Sequence, residues 1–441
     1  MSRFTCDWIF NILVVLCDGR VVCGCADPAG ERPLGRLTCG RGLREIWNSP
    51  QVQEIRAGLN EGYAPFCRNC GLKRFLAEDE IPPQRPLVLE RLPRIFLEPT
   101  VLCNLSCLEA VCSHEAQLPK TRERPRFPRE EFATLLGEIG DGLVRLDFFN
   151  YGEPFLHPEA ADMIEYLKER YPQVYLYVST NGLMLTPETS RRVIAAGVDE
   201  ITFSIDGADQ ATYEKYRRGG DLRQVLAIVR DFVAERNRQG REAPVVNWRS
   251  ILFRWNDSWW HRRRIRRLAE RAGVDRLTWE ITDHPASAVS KEFYPGAPAL
   301  ARIRSEIWDS SQIGNALKKK TYRGRLAPLE ALRPLAAEKP GRLAVRVKNT
   351  GGMAWHRGGR HPVRLGAQLH DEEHCLIDLN WARAFLPTDL PAGGQATVEL
   401  DLPVGAAPGR YLVKLDLVLE GVDWFENGGS PVVWLPLTVV S

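Results

Sequence analysis

The sequence predicts an α/β protein in three parts: a small cysteine-rich unit, a run of βα repeats, and an all-β sandwich. Three observations carry this. Ten of the 11 cysteines lie before residue 113. Between residues 87 and 285, short apolar runs alternate with amphipathic helical patterns, the mark of βα repetition. From Gly341 onward the apolar period changes to strand alternation, punctuated by glycine and proline turns.

Length and charge set the outer bounds. A chain of 441 residues is long for one domain. Lysine plus arginine (59) against aspartate plus glutamate (56) leaves +3, so no charge excess argues for a nucleic-acid or acidic-lipid partner. The one local basic run, Trp259 to Arg267, reads as a solvated helix, with an anionic substrate or RNA contact as the alternative. No apolar run reaches the roughly 20 residues that span a bilayer. The nearest, Trp8 to Leu16, ends on a leucine where a lipoprotein signal needs a small residue, and reads as a buried strand of a cytoplasmic protein.

Residues 1–80 form the first unit. Asn11 to Leu16 and Arg20 to Cys23 are strand-like around a turn at Asp18-Gly19. Leu43, Ile46, Trp47, Val52, Ile55 and Leu59 follow at helical spacing. Prolines then make Ile81 to Pro86 an extended linker. The cysteine sets Cys67-x2-Cys70 and Cys103-x3-Cys107-x4-Cys112 are closely spaced in a long, enzyme-like chain, which favours metal over disulfides. Such runs of thiolates hold iron-sulfur clusters; a zinc knuckle is the alternative on spacing alone.

Residues 87–285 offer candidate strands at Arg94 to Glu98, Leu143 to Phe149, Val174 to Val178, Glu200 to Ser204, Val246 to Phe253 and Arg276 to Ile281. Helical patterns such as Ala161 to Arg170 and Pro187 to Ala196 separate them. A parallel sheet or open barrel follows, with its site expected at the carboxyl ends of the strands. Cys103, Gly152-Glu153-Pro154, Ser179-Thr180-Asn181-Gly182 and Ser204-Ile205-Asp206-Gly207 each follow a successive strand. Residues 286–338 read as a basic, helical connector, and residues 339–441 as the sandwich.

These motifs, in this order, resemble the radical S-adenosylmethionine (SAM) superfamily. The resemblance implies a partial (β/α)6 TIM-type barrel in which three cysteines hold a 4Fe-4S cluster whose open iron takes SAM. It identifies Cys103 and Cys107 within Glu98 to Cys107 as two of the three ligands. The family's usual spacing would put the third at Ala110; the next cysteine is Cys112, and two extra residues in an exposed loop cost little closure entropy. Gly152 and Glu153 fall where relatives receive the SAM amino group, Ser179 and Asn181 near its ribose, and Ser204 and Arg218 near its carboxylate. Cys6, Asp18 to Cys23, Glu45 to Ser49 and Cys67 to Cys70 are similar to a SPASM or twitch auxiliary domain, here placed ahead of the barrel. That likeness implies one auxiliary cluster on Cys6, Cys23, Cys67 and Cys70, with Cys25 the rival to Cys23.

Val347 to Thr350, Trp355, Arg383 to Pro387, Gly409 to Tyr411 and Asp423 to Phe425 resemble an immunoglobulin-like accessory domain. Its tryptophans read as packing residues, with sugar stacking as the alternative. The function this implies is reductive cleavage of SAM to a 5′-deoxyadenosyl radical that modifies a peptide or saccharide-linked substrate, fed by an electron donor such as flavodoxin or ferredoxin. A non-catalytic scaffold that keeps the fold is the competing expectation.

Overall fold

The computed structural model describes residues 3–25, 27–38, 40–108, 118–303, 306–307, 322–336, 340–351, 354–359, 362–374, 376–403, 407–420, 423–428 and 430–440. The chain divides into two compact units, Met1–Ile313 and Gly314–Ser441.

The strands of the first unit are β1 (Phe4–Thr5), β2 (Ile12–Val15), β3 (Arg20–Val22), β4 (Gly35–Arg36), β5 (Arg74–Phe75), β6 (Arg94–Leu97), β7 (Arg145–Phe148), β8 (Tyr175–Thr180), β9 (Glu200–Ser204), β10 (Val245–Leu252) and β11 (Arg276–Ile281). Its helices are α1 (Trp8–Asn11), α2 (Leu43–Trp47), α3 (Pro50–Asn60), α4 (Arg129–Ile139), α5 (Ala160–Arg170), α6 (Pro187–Ala196), α7 (Gln210–Glu214), α8 (Leu222–Arg238) and α9 (Trp259–Ala272). Local chemistry fixes their ends. Thr186, Asp221 and Ser258 cap α6, α8 and α9 through their side chains, and Gly197 and Gly273 end α6 and α9 in left-handed conformations.

Nine strands form one sheet in the order β11-β10-β9-β8-β7-β6-β2-β3-β4. Strands β6 to β11 run parallel in sequence order, joined by helical crossovers. Both faces are buried, but they differ in chemistry. Ile95, Leu97, Leu146, Phe148, Leu176, Val178, Ile201 and Phe203 point one way and share an apolar core with Phe132, Ile164, Val193 and Val229 of the helices. The alternate positions carry Arg94, Arg145, Asp147, Tyr177, Glu200, Asn247 and Arg276, also buried. Burying these charges is tolerable because they pair: Asp147 bridges Arg94 and Arg145, each at 2.6 Å, and Glu200 pairs with Arg276.

The N-terminal unit is continuous with this sheet. Strand β2 pairs in parallel with β6, Ile12 opposite Arg94, and β3 and β4 extend the sheet antiparallel. Trp8 stacks on Phe96 at 5.7 Å. The run Trp8 to Leu16, expected as one strand, is instead the helical turn α1 followed by β2. All of its apolar side chains are buried in either form, so burial alone does not distinguish strand from turn.

The second unit holds β12 (Gly324–Pro328), β13 (Leu335–Ala336), β14 (Gly341–Asn349), β15 (Val363–His370), β16 (Leu376–Phe385), β17 (Gln395–Leu402), β18 (Gly409–Leu419), β19 (Asp423–Trp424) and β20 (Val433–Val440). They make a sheet β12-β14-β17 and a second sheet β13-β20-β18-β15-β16, with β19 on β18. Leu343, Val345, Val347, Trp355, Leu365, Leu415 and Leu417 form one core between them. The connector expected to be helical over 286–338 contains β12 and β13, because Leu326 and Leu335 turn toward that core. Residues 308–321, including Lys318 to Lys320, lie outside the described residues. No described helix is long and apolar enough to cross a membrane.

Candidate functional site

The polar face of the parallel sheet leads upward to a cavity of about 200 Å³ at the carboxyl ends of the strands. Ser179, Ser204, Arg249 and Glu280, from β8 to β11, continue the same alternation as Tyr177, Glu200, Asn247 and Arg276 below them. Cys103, Cys107, Gly152, Glu153, Asn181 and Arg217 also line it. Of the expected site residues, the structure thus gathers Cys103, Cys107, Gly152, Glu153, Ser179, Asn181 and Ser204 around one space. Cys112 lies outside the described residues.

The turn after β7 is built against the Cys103 loop. Gly152 has φ +84°, and a β-carbon there would stand 2.3 Å from the Thr100 carbonyl oxygen and 2.8 Å from that of Leu102. Only glycine satisfies both the left-handed backbone and the close approach. The Glu153 amide then donates to the Leu102 carbonyl at 2.7 Å. Further on, the amides of Ser106 and Leu108 donate to the carbonyls of Arg218 (3.1 Å) and Tyr216 (3.0 Å), tying the loop to the segment after α7.

The Glu153 carboxylate is 2% exposed and internally engaged. It accepts from the Thr180 hydroxyl at 2.6 Å and from the amides of Asn181 (2.8 Å) and Phe155 (3.3 Å). Burial pushes its pKa up to about 6, and these hydrogen bonds oppose the rise. Asn181 is held in turn, donating to Asn104 Oδ1 at 2.8 Å with Cys103 Sγ 3.8 Å away. Burial also pushes the Cys103 thiol up to about 11, with Glu153 and Cys107 adding to the rise.

Two arginines that the motifs do not mark enter the cavity. Arg249 Nη2 donates to the Ser204 hydroxyl at 3.1 Å and the Ser179 hydroxyl at 3.4 Å, and its Nε pairs with Glu280 at 3.3 Å. Arg217 is clamped by the fully buried Asp206 at 2.6 Å and reaches to 3.9 Å from Cys107 Sγ. Arg218, the residue expected beside Ser204, is exposed and off the cavity; the turn after α7 points its neighbour inward instead. A charged residue inside a strand buried on both faces was the available signal for Arg249 and its partner Glu280; Arg217, in a turn, carried none.

A second, small cavity of about 20 Å³ lies in the N-terminal unit and is lined by Cys6, Cys23, Cys67 and Cys70 with Trp8 and Phe66. Cys67 and Cys70 bracket a tight turn, the Cys70 amide donating to the Cys67 carbonyl at 3.1 Å. The Leu72 amide donates to Cys70 Sγ at 3.4 Å. Burial raises the Cys6, Cys23 and Cys67 thiols, Cys67 to about 12, and the thiols add to one another's rise. Four thiols facing one dry space suit a cationic cluster that would hold them as thiolates. Among the described residues no three donors converge tightly enough for a single metal ion. A four-iron cluster does not require that, since each thiolate takes a separate iron. Cys25 is exposed and outside this cavity; its carbonyl accepts from the Tyr151 hydroxyl, joining the N-terminal unit to the turn at Gly152.

Residues 97–238 match the family model of the radical SAM superfamily, and residues 6–71 match SPASM, an iron-sulfur cluster-binding domain. The AdoMet-dependent heme synthase of Methanosarcina barkeri is 30% identical over 132 residues, 30% of this chain and 36% of that protein. The GTP 3′,8-cyclase of Peptoclostridium acidaminophilum is 27% identical over 144 residues, 32% of this chain and 42% of that one. The mycofactocin maturase MftC of Mycobacterium tuberculosis is 26% identical over 141 residues, 31% of this chain and 33% of that one. The chain therefore spans about a third to two fifths of the length of these curated relatives. Among solved structures, Streptococcus suis SuiB bound to S-adenosylmethionine is 14% identical with a TM-score of 0.38, over 45% of this chain and 44% of that one. A stretch similar to the SPASM iron-sulfur cluster-binding domain thus stands ahead of one similar to the radical SAM superfamily, a pairing that implies a 4Fe-4S cluster, SAM and auxiliary iron-sulfur clusters.

Proposed function

We propose that this protein is a radical SAM enzyme whose sheet curves as a partial (β/α)6 barrel around the larger cavity, and whose N-terminal cysteines hold one auxiliary cluster. The observation that carries the reading is that Cys103 and Cys107 share one cavity with Glu153, Ser179, Asn181 and Ser204, while four further thiols line a separate one. Bound there, a reduced 4Fe-4S cluster supplies the electron that cleaves SAM. The chain's own part is to place and enclose. Cys103, Cys107 and Cys112 are the ligands, and Asn181 steadies the first of them through Asn104. Glu153 locks the end of β8 to the Gly152 turn, leaving the turn's backbone to meet the SAM amino group. Arg217, with Arg249 between the Ser179 and Ser204 hydroxyls, supplies positive charge for a carboxylate. The auxiliary site takes the four thiols Cys6, Cys23, Cys67 and Cys70. The substrate is a peptide or saccharide-linked molecule, and a flavodoxin- or ferredoxin-like donor supplies the electrons.

The test is anaerobic reconstitution with iron and sulfide, then incubation with SAM and dithionite. Release of 5′-deoxyadenosine, lost in Cys103→Ala, is the expected result. Full iron content with no nucleoside released would instead establish the scaffold reading.

A further inference from the structure

The second unit has a charge arrangement that its described residues do not balance. On the outward face of the sheet β12-β14-β17, Arg325 stands directly opposite Lys348, and Arg346 follows two residues along β14. All three are exposed, and among the described residues no carboxylate pairs with any of them. Their other cross-strand neighbours are neutral: Gln395 opposite Lys348, Thr397 opposite Arg346 and Ala327 opposite Arg346. The acidic side chains of this face are Glu399, opposite Ala344, and Asp401, which pairs with Arg342 at 2.9 Å; neither stands opposite Arg325 or Lys348. Like charges directly opposite across a strand pair destabilise a sheet unless an anion lies between them.

Beside this pair is an open cavity of about 340 Å³ lined by Arg323, Arg325, Lys348, Thr350 and Ser430, with no carboxylate among its described lining residues. Ser430 is 8% exposed. Its Oγ accepts from the Gly324 amide at 3.1 Å, while its own proton has no acceptor among the described residues. Gly324 lets the strand start sit this deep, since a β-carbon there would stand 2.2 Å from Leu417 Cδ1. A buried hydroxyl proton without a partner costs free energy unless a ligand accepts it. Guanidinium forks match the oxygens of tetrahedral oxyanions, and a lysine adds a point charge. We propose that this cavity binds a ligand carrying a phosphate or sulfate group, received by Arg323, Arg325 and Lys348 and by the Ser430 hydroxyl.

The test is calorimetric titration of the whole chain with sodium pyrophosphate and with sodium sulfate, against sodium chloride at matched ionic strength. Wild type binds one or both oxyanions, and the tighter of the two identifies the natural group. Arg325→Gln combined with Lys348→Gln weakens that binding by at least about tenfold. The same double variant unfolds, in oxyanion-free buffer, at a temperature no lower than wild type, because the opposed charges are gone. Arg342→Gln, on the same face but paired to Asp401, binds as wild type does. No heat beyond the chloride control, unchanged binding in the double variant, or equal weakening in Arg342→Gln would each overturn the proposal.

Discussion

The hydroxyl of Thr180 donates to the carboxylate of Glu153 at 2.6 Å, joining the end of β8 to the turn after β7 inside the cavity wall. Replacing Glu153 with alanine strands that hydroxyl and the Asn181 amide in a buried place, at a cost of about 1–3 kcal/mol in denaturant unfolding. It also lets the turn at Gly152 and the Asn181 side chain drift, so SAM affinity falls by about 1.5–3 kcal/mol in equilibrium dialysis. Iron content stays at the wild-type level. Unaltered stability and SAM affinity together would remove Glu153 from the site.

The two cysteines that compete for the auxiliary site are separated by exposure. Cys23 lines the four-thiol cavity, whereas Cys25 is exposed and outside it. Cys23→Ser is expected to lower reconstituted iron by about four atoms per chain, and Cys25→Ser to leave it unchanged. The reverse pattern, read by iron and sulfide analysis, would exchange their roles.

Truncation distinguishes the compact units from the boundary that the sequence alone would set. A chain ending at Ile313 keeps the nine-stranded sheet and both cysteine cavities, and is expected to stay soluble and load iron. One ending near Lys339 retains β12 and β13 without β14 and β20, their partners. Those unpaired edges are expected to promote association, seen as early elution in size exclusion. Equal behaviour of the two truncations would count against the assignment of β12 and β13 to the second unit.

Asp416 gives that unit a pH dependence. Burial pushes its carboxyl up to about 7, against hydrogen bonds from the Leu417 and Glu426 amides at 2.7 and 2.9 Å. The folded state therefore binds the proton more tightly than the unfolded one. Its contribution is fully present below about pH 4 and is lost as pH rises to about 7, by up to about 4 kcal/mol. Above that the term is flat. Denaturant unfolding of residues 314–441 across this range should show the decline, and Asp416→Asn should abolish it. A wild-type profile that rises between pH 4 and 7 would show that the carboxylate is stabilised by folding instead.

How much of this was legible in the sequence depends on how local each feature is. Gly152-Glu153-Pro154 and the turns after β8 and β9 are contiguous signals at strand ends, and they converge as expected. Ile12–Val15 was legible as a strand but not as the parallel neighbour of β6, because that pairing joins residues about 80 positions apart. The N-terminal unit therefore reads as separate, while the structure gives it the same sheet and core. Arg217 and Arg218 are adjacent, and only the turn after α7 decides which one points inward. Arg249 and Glu280 belong to no motif, and their roles appear only once the four strands β8 to β11 are aligned. Arg325 and Lys348 likewise become a pair only through strand register.

The most direct test of the central claim is electron paramagnetic resonance of the anaerobically reduced protein, with and without SAM. Two cluster signals are expected, of which SAM shifts one. Cys103→Ala should remove the SAM-responsive signal and leave the other, and Cys67→Ala should do the opposite. A spectrum that SAM leaves unchanged, or a Cys67→Ala variant that loses the SAM-responsive signal while keeping the other, would contradict the assignment of SAM chemistry to the Cys103 cavity.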